Sequence, residues 1–128
     1  MFECDKEIAS GLPHRAAQLK PVTLLAESRF LMGTSPVETD WRLFVTLIRF
    51  DAVYYGHFKC NLRRIVDYPN LWGYLRDLYQ FRGIASTVNF DHIKRHYYMT
   101  HPHVNPSRIV PIGPALDLTE PHGRERMS

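Results

Sequence analysis

The chain has 128 residues, with 16 lysines and arginines against 13 acids and a formal charge of +3. That length suits one domain with its own core, and so small and scattered an excess excludes the clustered basic face of a nucleic-acid binder. Cys4 and Cys60 are the only cysteines, which argues against a disulfide framework and for a reducing compartment.

In chain order, residues 1–21 show no sustained hydrophobic period, and Gly11, Pro13 and Pro21 interrupt them. They are expected to form a poorly ordered leader. The opening MFECDKEIAS carries acids and lacks the apolar run of an export signal. From Val22 to Met32, the positions of Leu24, Leu25, Leu31 and Met32 suit the last turns of a helix, with Gly33 as its stop. Ser35 then reads as an N-cap, Pro36 as the first helical residue and Glu38 as the partner in a capping box.

The helix so started runs through Trp41–Tyr55. Wound at 3.6 residues per turn it carries two apolar stripes. Trp41, Phe44, Val45, Ile48, Ala52 and Tyr55 share one face, while Leu43, Leu47, Phe50 and Tyr54 share nearly the opposite one. A helix apolar on two faces is packed on both, so this is the expected centre of an all-α bundle. Its longest uncharged apolar run, Leu43–Ile48, is too short to cross a bilayer. A soluble, cytoplasmic protein without a membrane partner is expected.

Beyond Tyr55, Gly56 is placed to loosen or bend the helix. Pro69 opens the next one, in which Leu71, Tyr74, Leu75 and Leu78 follow the amphipathic spacing. Arg82 and Gly83 suit its last turn and stop. Asn89 reads as the N-cap of a helix from Phe90 to about Met99, with Asp91 in its first turn. Past Thr100 the prolines (Pro102, Pro106, Pro111, Pro114, Pro121) predict an extended tail along the bundle surface. The expected organisation is a leader over 1–21, a helical domain over 22–104 and a proline-rich tail over 105–128.

Four groups of residues carry candidate chemistry. Cys60 sits beside Lys59 and close in sequence to Arg63 and Arg64, cations that would favour a thiolate nucleophile if the segment were helical. The competing reading is a small core thiol. His92 and His96 have the i, i+4 spacing of a zinc pair, with His101 and His103 just beyond. Ile93, Lys94 and Arg95 stand between them instead of a metalloprotease glutamate, so a surface histidine pair without metal is expected. Lys59, Arg63 and Arg64 form a basic edge that could attract an anion, or a solvated face of ion pairs. Phe90, Ile93 and Tyr97 fall within about 60° on the face opposite the histidines. There Tyr97 would present a phenol able to bind an aromatic hydroxyl, or would be a core tyrosine with a satisfied hydroxyl.

Several ordered motifs narrow the choice. They are Asp40-Trp41-Arg42-Leu43-Phe44, Arg49-Phe50-Asp51-Ala52-Val53-Tyr54, Gly56-His57-Phe58-Lys59-Cys60-Asn61, Tyr68-Pro69-Asn70-Leu71-Trp72-Gly73-Tyr74, and Asn89-Phe90-Asp91-His92-Ile93-Lys94-Arg95-His96-Tyr97-Tyr98. Together, over roughly residues 24–123, they resemble the C-terminal helical domain of the glutathionyl-hydroquinone reductases, the Xi class of the glutathione transferase superfamily. The resemblance implies an all-α, transferase-type helical bundle. In such enzymes a thioredoxin-like half binds glutathione and carries a Cys-Pro-Trp nucleophile, and the helical half walls the hydroquinone pocket. It further implies that Tyr97 is the pocket tyrosine whose hydroxyl contacts substrate, and that Cys60 matches a cysteine that is not the nucleophile.

The departures from the pattern bear on activity. Cys-Pro-Trp occurs nowhere in this sequence, and no thioredoxin-like βαβ pattern precedes the helices. A second pocket tyrosine of the family has no counterpart here, and Val37 stands where the family has a capping threonine. The expectation is therefore the hydroquinone-side half of a glutathione-dependent reductase, with no catalytic residue and no metal of its own and without turnover alone. Glutathione would be co-substrate of the complete enzyme, and a quinone-type molecule its partner. The alternative is a non-catalytic binding or homodimerisation module, because an uncovered apolar face invites partners.

Overall fold

The structure, a computed structural model, describes residues 23–127, and the leader predicted over 1–21 lies outside them. Among the described residues there are helices and turns but no strand, as expected of an all-α domain. The chain enters as helix over 23–27 and leaves it well before Met32. Phe30 and Gly33 close a tight turn instead, bridging through N–H to O bonds of 3.0 and 3.4 Å. Gly33 has φ 123°, a conformation that disfavours any side chain, so it serves this turn and not a helix end.

Helix α1 spans Glu38–Arg49, two residues later than the capping box at Ser35 would start it. Its N-cap is Val37, which has no side chain able to cap. Asp40 does that work from inside the first turn. Its Oδ2 accepts the Val37 N–H at 2.9 Å, while Oδ1 accepts the Leu31 N–H at 3.0 Å and the Tyr74 hydroxyl at 2.7 Å. One fully buried carboxylate thus joins the entry turn, the start of α1 and the next helix.

The central helix ends at His57, one residue past Gly56. It widens earlier, into a π-helical stretch over Phe50–Tyr54, and ends with one turn over Tyr55–His57. Uniform winding would place Val53 in the polar strip with Arg42, Thr46 and Arg49. The i→i+5 pattern winds more slowly and turns it inward, and Val53 is fully buried. Most of both predicted stripes packs, although Val45 of the first is 49% exposed. Phe44, Leu47 and Ile48 join the main core with α2, whereas Ala52 and Val53 belong to a second cluster with Phe58 and Tyr98.

Helix α2 spans Pro69–Gln80 with proline at its first turn. Leu71, Tyr74, Leu75 and Leu78 are all buried, as their spacing predicts. The helix stops at Gln80, so Arg82 and Gly83 (φ 84°) fall in the turn that follows rather than in its last turn. Helix α3 spans Phe90–Thr100, capped by Asn89, whose Oδ1 accepts the His92 N–H at 3.1 Å.

The tail is more than a surface strap. Leu118 and Arg124 are buried at 3% and 4% exposure. The Arg124 guanidinium donates to the Ser28 and Arg29 carbonyls, both at 2.8 Å, and to that of Asn70 at 3.4 Å. Gln80 Nε2 holds the Leu118 and Glu120 carbonyls at 2.8 and 2.7 Å, and Lys94 Nζ holds those of Pro111 and Ile112 at 3.1 and 2.7 Å. Proline-rich backbone cannot pair with itself, so polar side chains of α2 and α3 satisfy it.

Candidate functional site

The second cluster is where the π stretch meets α3. Tyr97 lies half-buried on α3, and its ring is met edge-on by Tyr54 at 5.8 Å and by Phe58 at 5.9 Å between centroids. Tyr54, the last residue of the π stretch, brings its hydroxyl to 3.4 Å from that of Tyr97. The neighbouring helix approaches closely here because residue 56 is glycine: a Cβ would stand 3.1 Å from the Tyr98 hydroxyl.

Below the two phenols lies a histidine pair. His57 is 2% exposed, and its Nε2 shares a hydrogen bond of 3.1 Å with His101 Nδ1. The two rings stack at 5.3 Å, and the Tyr98 ring meets His57 at 4.6 Å. Burial, and then the proximity of His101, Lys59 and His103, hold His57 below the usual histidine range. Burial also lowers His101, with His103 and His96 adding to it. Both imidazoles are therefore favoured in the neutral form, in which one ring donates and the other accepts. Burial raises the Tyr98 phenol, which stays protonated across the physiological range.

The candidates drawn from sequence fare differently. Tyr97 packs against the cluster from its partly buried margin, as do Phe90 and Ile93 of the same helix face. Cys60 is half-buried beside the same cluster. The helix has ended before it, Lys59 has φ 63°, and the Cys60 N–H donates to the Tyr54 carbonyl at 3.1 Å. It is therefore not one helical turn from Arg63 and Arg64. The basic edge is dispersed: Lys59 Nζ turns to the Gly56 carbonyl at 3.2 Å, Arg64 pairs with Asp67 at 2.9 Å, and Arg63 lies over the Tyr68 ring. His92 and His96 are exposed, and among the described residues no three His, Cys, Asp or Glu side chains are grouped to hold a metal.

Tyr54, His57 and Phe58 were not singled out by the sequence as site residues. The pairing of His57 with His101 spans 44 residues, so no local pattern announces it. A separate open groove of about 230 Å³ lies between α1 and α3, lined by Phe44, Ile48, Arg49, Val88, His92 and Ile93 among others. It does not reach Tyr97. No helix among the described residues is long and apolar enough to cross a membrane.

Comparison with known proteins bears on this geometry. Residues 9–77 match the family model for the C-terminal domain of glutathione S-transferases. The chain is 56% identical over 102 residues to glutathionyl-hydroquinone reductase YqjG of Escherichia coli K12, covering 80% of this chain and 31% of that protein. It is 54% identical over 94 residues to glutathionyl-hydroquinone reductase PcpF of Sphingobium chlorophenolicum, covering 73% and 30%. Among solved structures, glutathione-bound YqjG matches with a TM-score of 0.87 at 48% identity, over 95% of this chain and 39% of that one. A Xi-class transferase from Natrialba magadii matches with a TM-score of 0.85 at 51% identity, over 88% and 35%. The chain thus spans about a third of the length of the curated relatives it matches. With its all-helical architecture and these shared motifs, the chain belongs to the family of glutathione S-transferase C-terminal domains.

Proposed function

We propose that this chain is the hydroquinone-side helical half of a cytoplasmic glutathionyl-hydroquinone reductase, with Tyr97 as its contact to the aromatic hydroxyl of the substrate. The observation that carries the reading is a phenol set among aromatic walls, Tyr54 and Phe58, on a chain more than half identical to two such reductases. Aromatic rings meeting edge to face offer apolar area to a flat ligand. A neutral phenol can donate to a hydroquinone oxygen and favours the charge that develops there when the thioether is cleaved. Glutathione is co-substrate of the complete enzyme and not a ligand of this chain alone. No Cys-Pro-Trp nucleophile is present in the sequence, and covalent chemistry without its nucleophile is lost.

Two measurements test the reading. The purified chain, given glutathione and a glutathionyl-hydroquinone, is expected to show no turnover; turnover that disappears on Cys60→Ser would overturn the assignment. Hydroquinone titrated into the chain and followed by NMR is expected to bind saturably, and Tyr97→Phe to weaken it about fivefold to tenfold, the loss of one hydrogen bond. A Tyr97→Phe chain that binds as the parent does removes Tyr97 from the site.

A second reading, a binding or self-association module without catalysis, draws on Leu62, Met32, Ile109 and Ile112, all more than two-thirds exposed. A chain that stays monomeric by light scattering over a wide concentration range would count against it.

A further inference from the structure

We infer that the open groove between α1 and α3 is a second binding site, which takes a small organic carboxylate with a flat apolar body. The groove lies apart from the aromatic cluster around Tyr97, so the inference does not rest on the hydroquinone reading. Phe44 and Ile48 are buried and form its floor, with Val88 and Ile93 half-buried beside them. Its polar side chains are Arg49, Thr87, Asn89 and His92, and none of its lining residues is an acid. The groove holds about 230 Å³. Pockets for drug-sized ligands run from about 300 to 1,000 Å³, so this one suits a body of one or two fused rings.

Arg49 carries the charge of the site. Among the described residues Arg29, Arg42, Arg64, Arg76 and Arg95 are each paired with a carboxylate, and Arg49 is not. Its Nη1 donates to the Val45 carbonyl, one turn back, at 2.6 Å. The Nε and Nη2 edge of the fork is left, and that edge matches the two oxygens of a carboxylate. The acids nearest in sequence are turned elsewhere. Asp51 accepts the Ile65 and Val66 N–H groups, and Asp91 is held by Arg95 at 2.9 Å. His92 adds an imidazole at the exposed rim, able to donate an N–H to the same ligand. A cation over an apolar floor, with no acid beside it, is complementary to an amphipathic anion and selects against a cation of the same shape.

The test titrates the chain with 2-naphthoate and with its neutral isostere 2-naphthamide, followed by the methyl NMR signals of Val45, Ile48 and Val88. Naphthoate is expected to shift them saturably and to bind about tenfold more tightly than the amide, the worth of one bidentate pair discounted for exposure. Added salt should weaken the naphthoate and leave the amide alone. Arg49→Gln is expected to weaken naphthoate about fivefold to tenfold and to keep the amide within about twofold of the parent. Val45→Glu, at an exposed position one turn before Arg49, gives the guanidinium a partner within the helix. It should weaken naphthoate at least as far while keeping the parent's melting temperature.

The absence of a saturable shift with naphthoate overturns the inference. So does equal binding of acid and amide, or an Arg49→Gln chain that binds naphthoate as the parent does. Shifts centred on Tyr97 and Phe58 would put the ligand in the aromatic cluster, and this site then falls while the hydroquinone reading stands. Groove signals that move with the chain's own concentration, before any ligand is added, would mean that a second copy covers the groove, which also overturns it.

Discussion

Asp40 lies outside the candidate site and ties the entry turn, the start of α1 and α2 together. Its carboxylate receives two backbone N–H groups and the Tyr74 hydroxyl, and nothing of it reaches solvent. Burial and this hydrogen bond raise the Tyr74 phenol well above the usual tyrosine range, so Tyr74 is always the donor. Asp40→Ala leaves the buried Tyr74 hydroxyl and two part-buried backbone N–H groups without their acceptor, and a buried group so left costs about 1–3 kcal/mol. The expected loss is about 3 kcal/mol or more in urea unfolding, whereas Tyr74→Phe removes one bond and costs about 1 kcal/mol. Equal losses in the two variants would mean that the backbone donors contribute nothing. Asp51 repeats the arrangement on a smaller scale, accepting the Ile65 and Val66 N–H groups at 2.7 and 3.3 Å to cap the turn over Ile65–Asp67.

At the scale of elements, the end of the central helix is tied to the end of α3 by the His57–His101 hydrogen bond. His57 has a folded pKa below the usual 6.5, because of its burial and then its neighbours His101, Lys59 and His103. A histidine depressed in this way adds stability that is fully present above 6.5 and is lost as pH falls through the folded value. Asp51 runs the other way: burial raises its carboxyl, so acidification relieves a cost there. Comparison with a single variant separates the two. The parent's melting temperature should fall more steeply from about pH 7.5 to about pH 5 than that of His57→Gln, which has no proton to gain. Parallel slopes would sink the idea.

What the sequence discloses follows the same division of scale. Helices α2 and α3 can be read off because Pro69 and Asn89 act on their own first turns, and Leu71, Tyr74, Leu75 and Leu78 repeat at one period. The start of α1 is misread because Ser35 and Glu38 satisfy a local rule, while the actual cap is Asp40, whose carboxylate accepts the Val37 N–H and is held as well by Leu31 and Tyr74. The π stretch is hidden because its residues have ordinary helical composition. With it go the burial of Val53 and the aim of Tyr54. Tyr97 is legible as a member of an apolar stripe, but its phenolic neighbour lies 43 residues away in sequence. Long-range pairs of this kind carry no periodic signal.

For the molecule as a whole, the question is why a tail without regular structure beyond one short turn belongs to the fold. Arg124 supplies the reason. Its guanidinium is buried among the carbonyls of Ser28, Arg29 and Asn70, and so joins three distant parts of the chain. The side chain reaches them across Gly73, where a Cβ would stand 3.3 Å from Arg124 Cδ, a contact that only a small shift of the arginine relieves. Asp77 is the countercharge nearby. It takes a bidentate pair from Arg29 at 2.8 and 2.9 Å and lies 3.5 Å from His122 Nε2. Burial lowers the Arg124 pKa, but a guanidinium so far above neutrality stays charged. Arg124→Ala removes the donors to these part-buried carbonyls and opens space beside Gly73. A loss of about 2–4 kcal/mol is expected from acceptors left unpaired in this way. Arg124→Lys should recover only part of it, since one compact ammonium cannot span acceptors that a planar fork reaches together. Arg82→Ala, on an exposed residue, serves as the control and should stay within about 0.5 kcal/mol of the parent. Limited proteolysis gives the decisive readout: faster cleavage between residues 117 and 127 in Arg124→Ala, with α1 to α3 still protected, marks the tail as docked through this side chain. Unchanged cleavage would mean that Leu118 and the Gln80 bonds hold the tail without it.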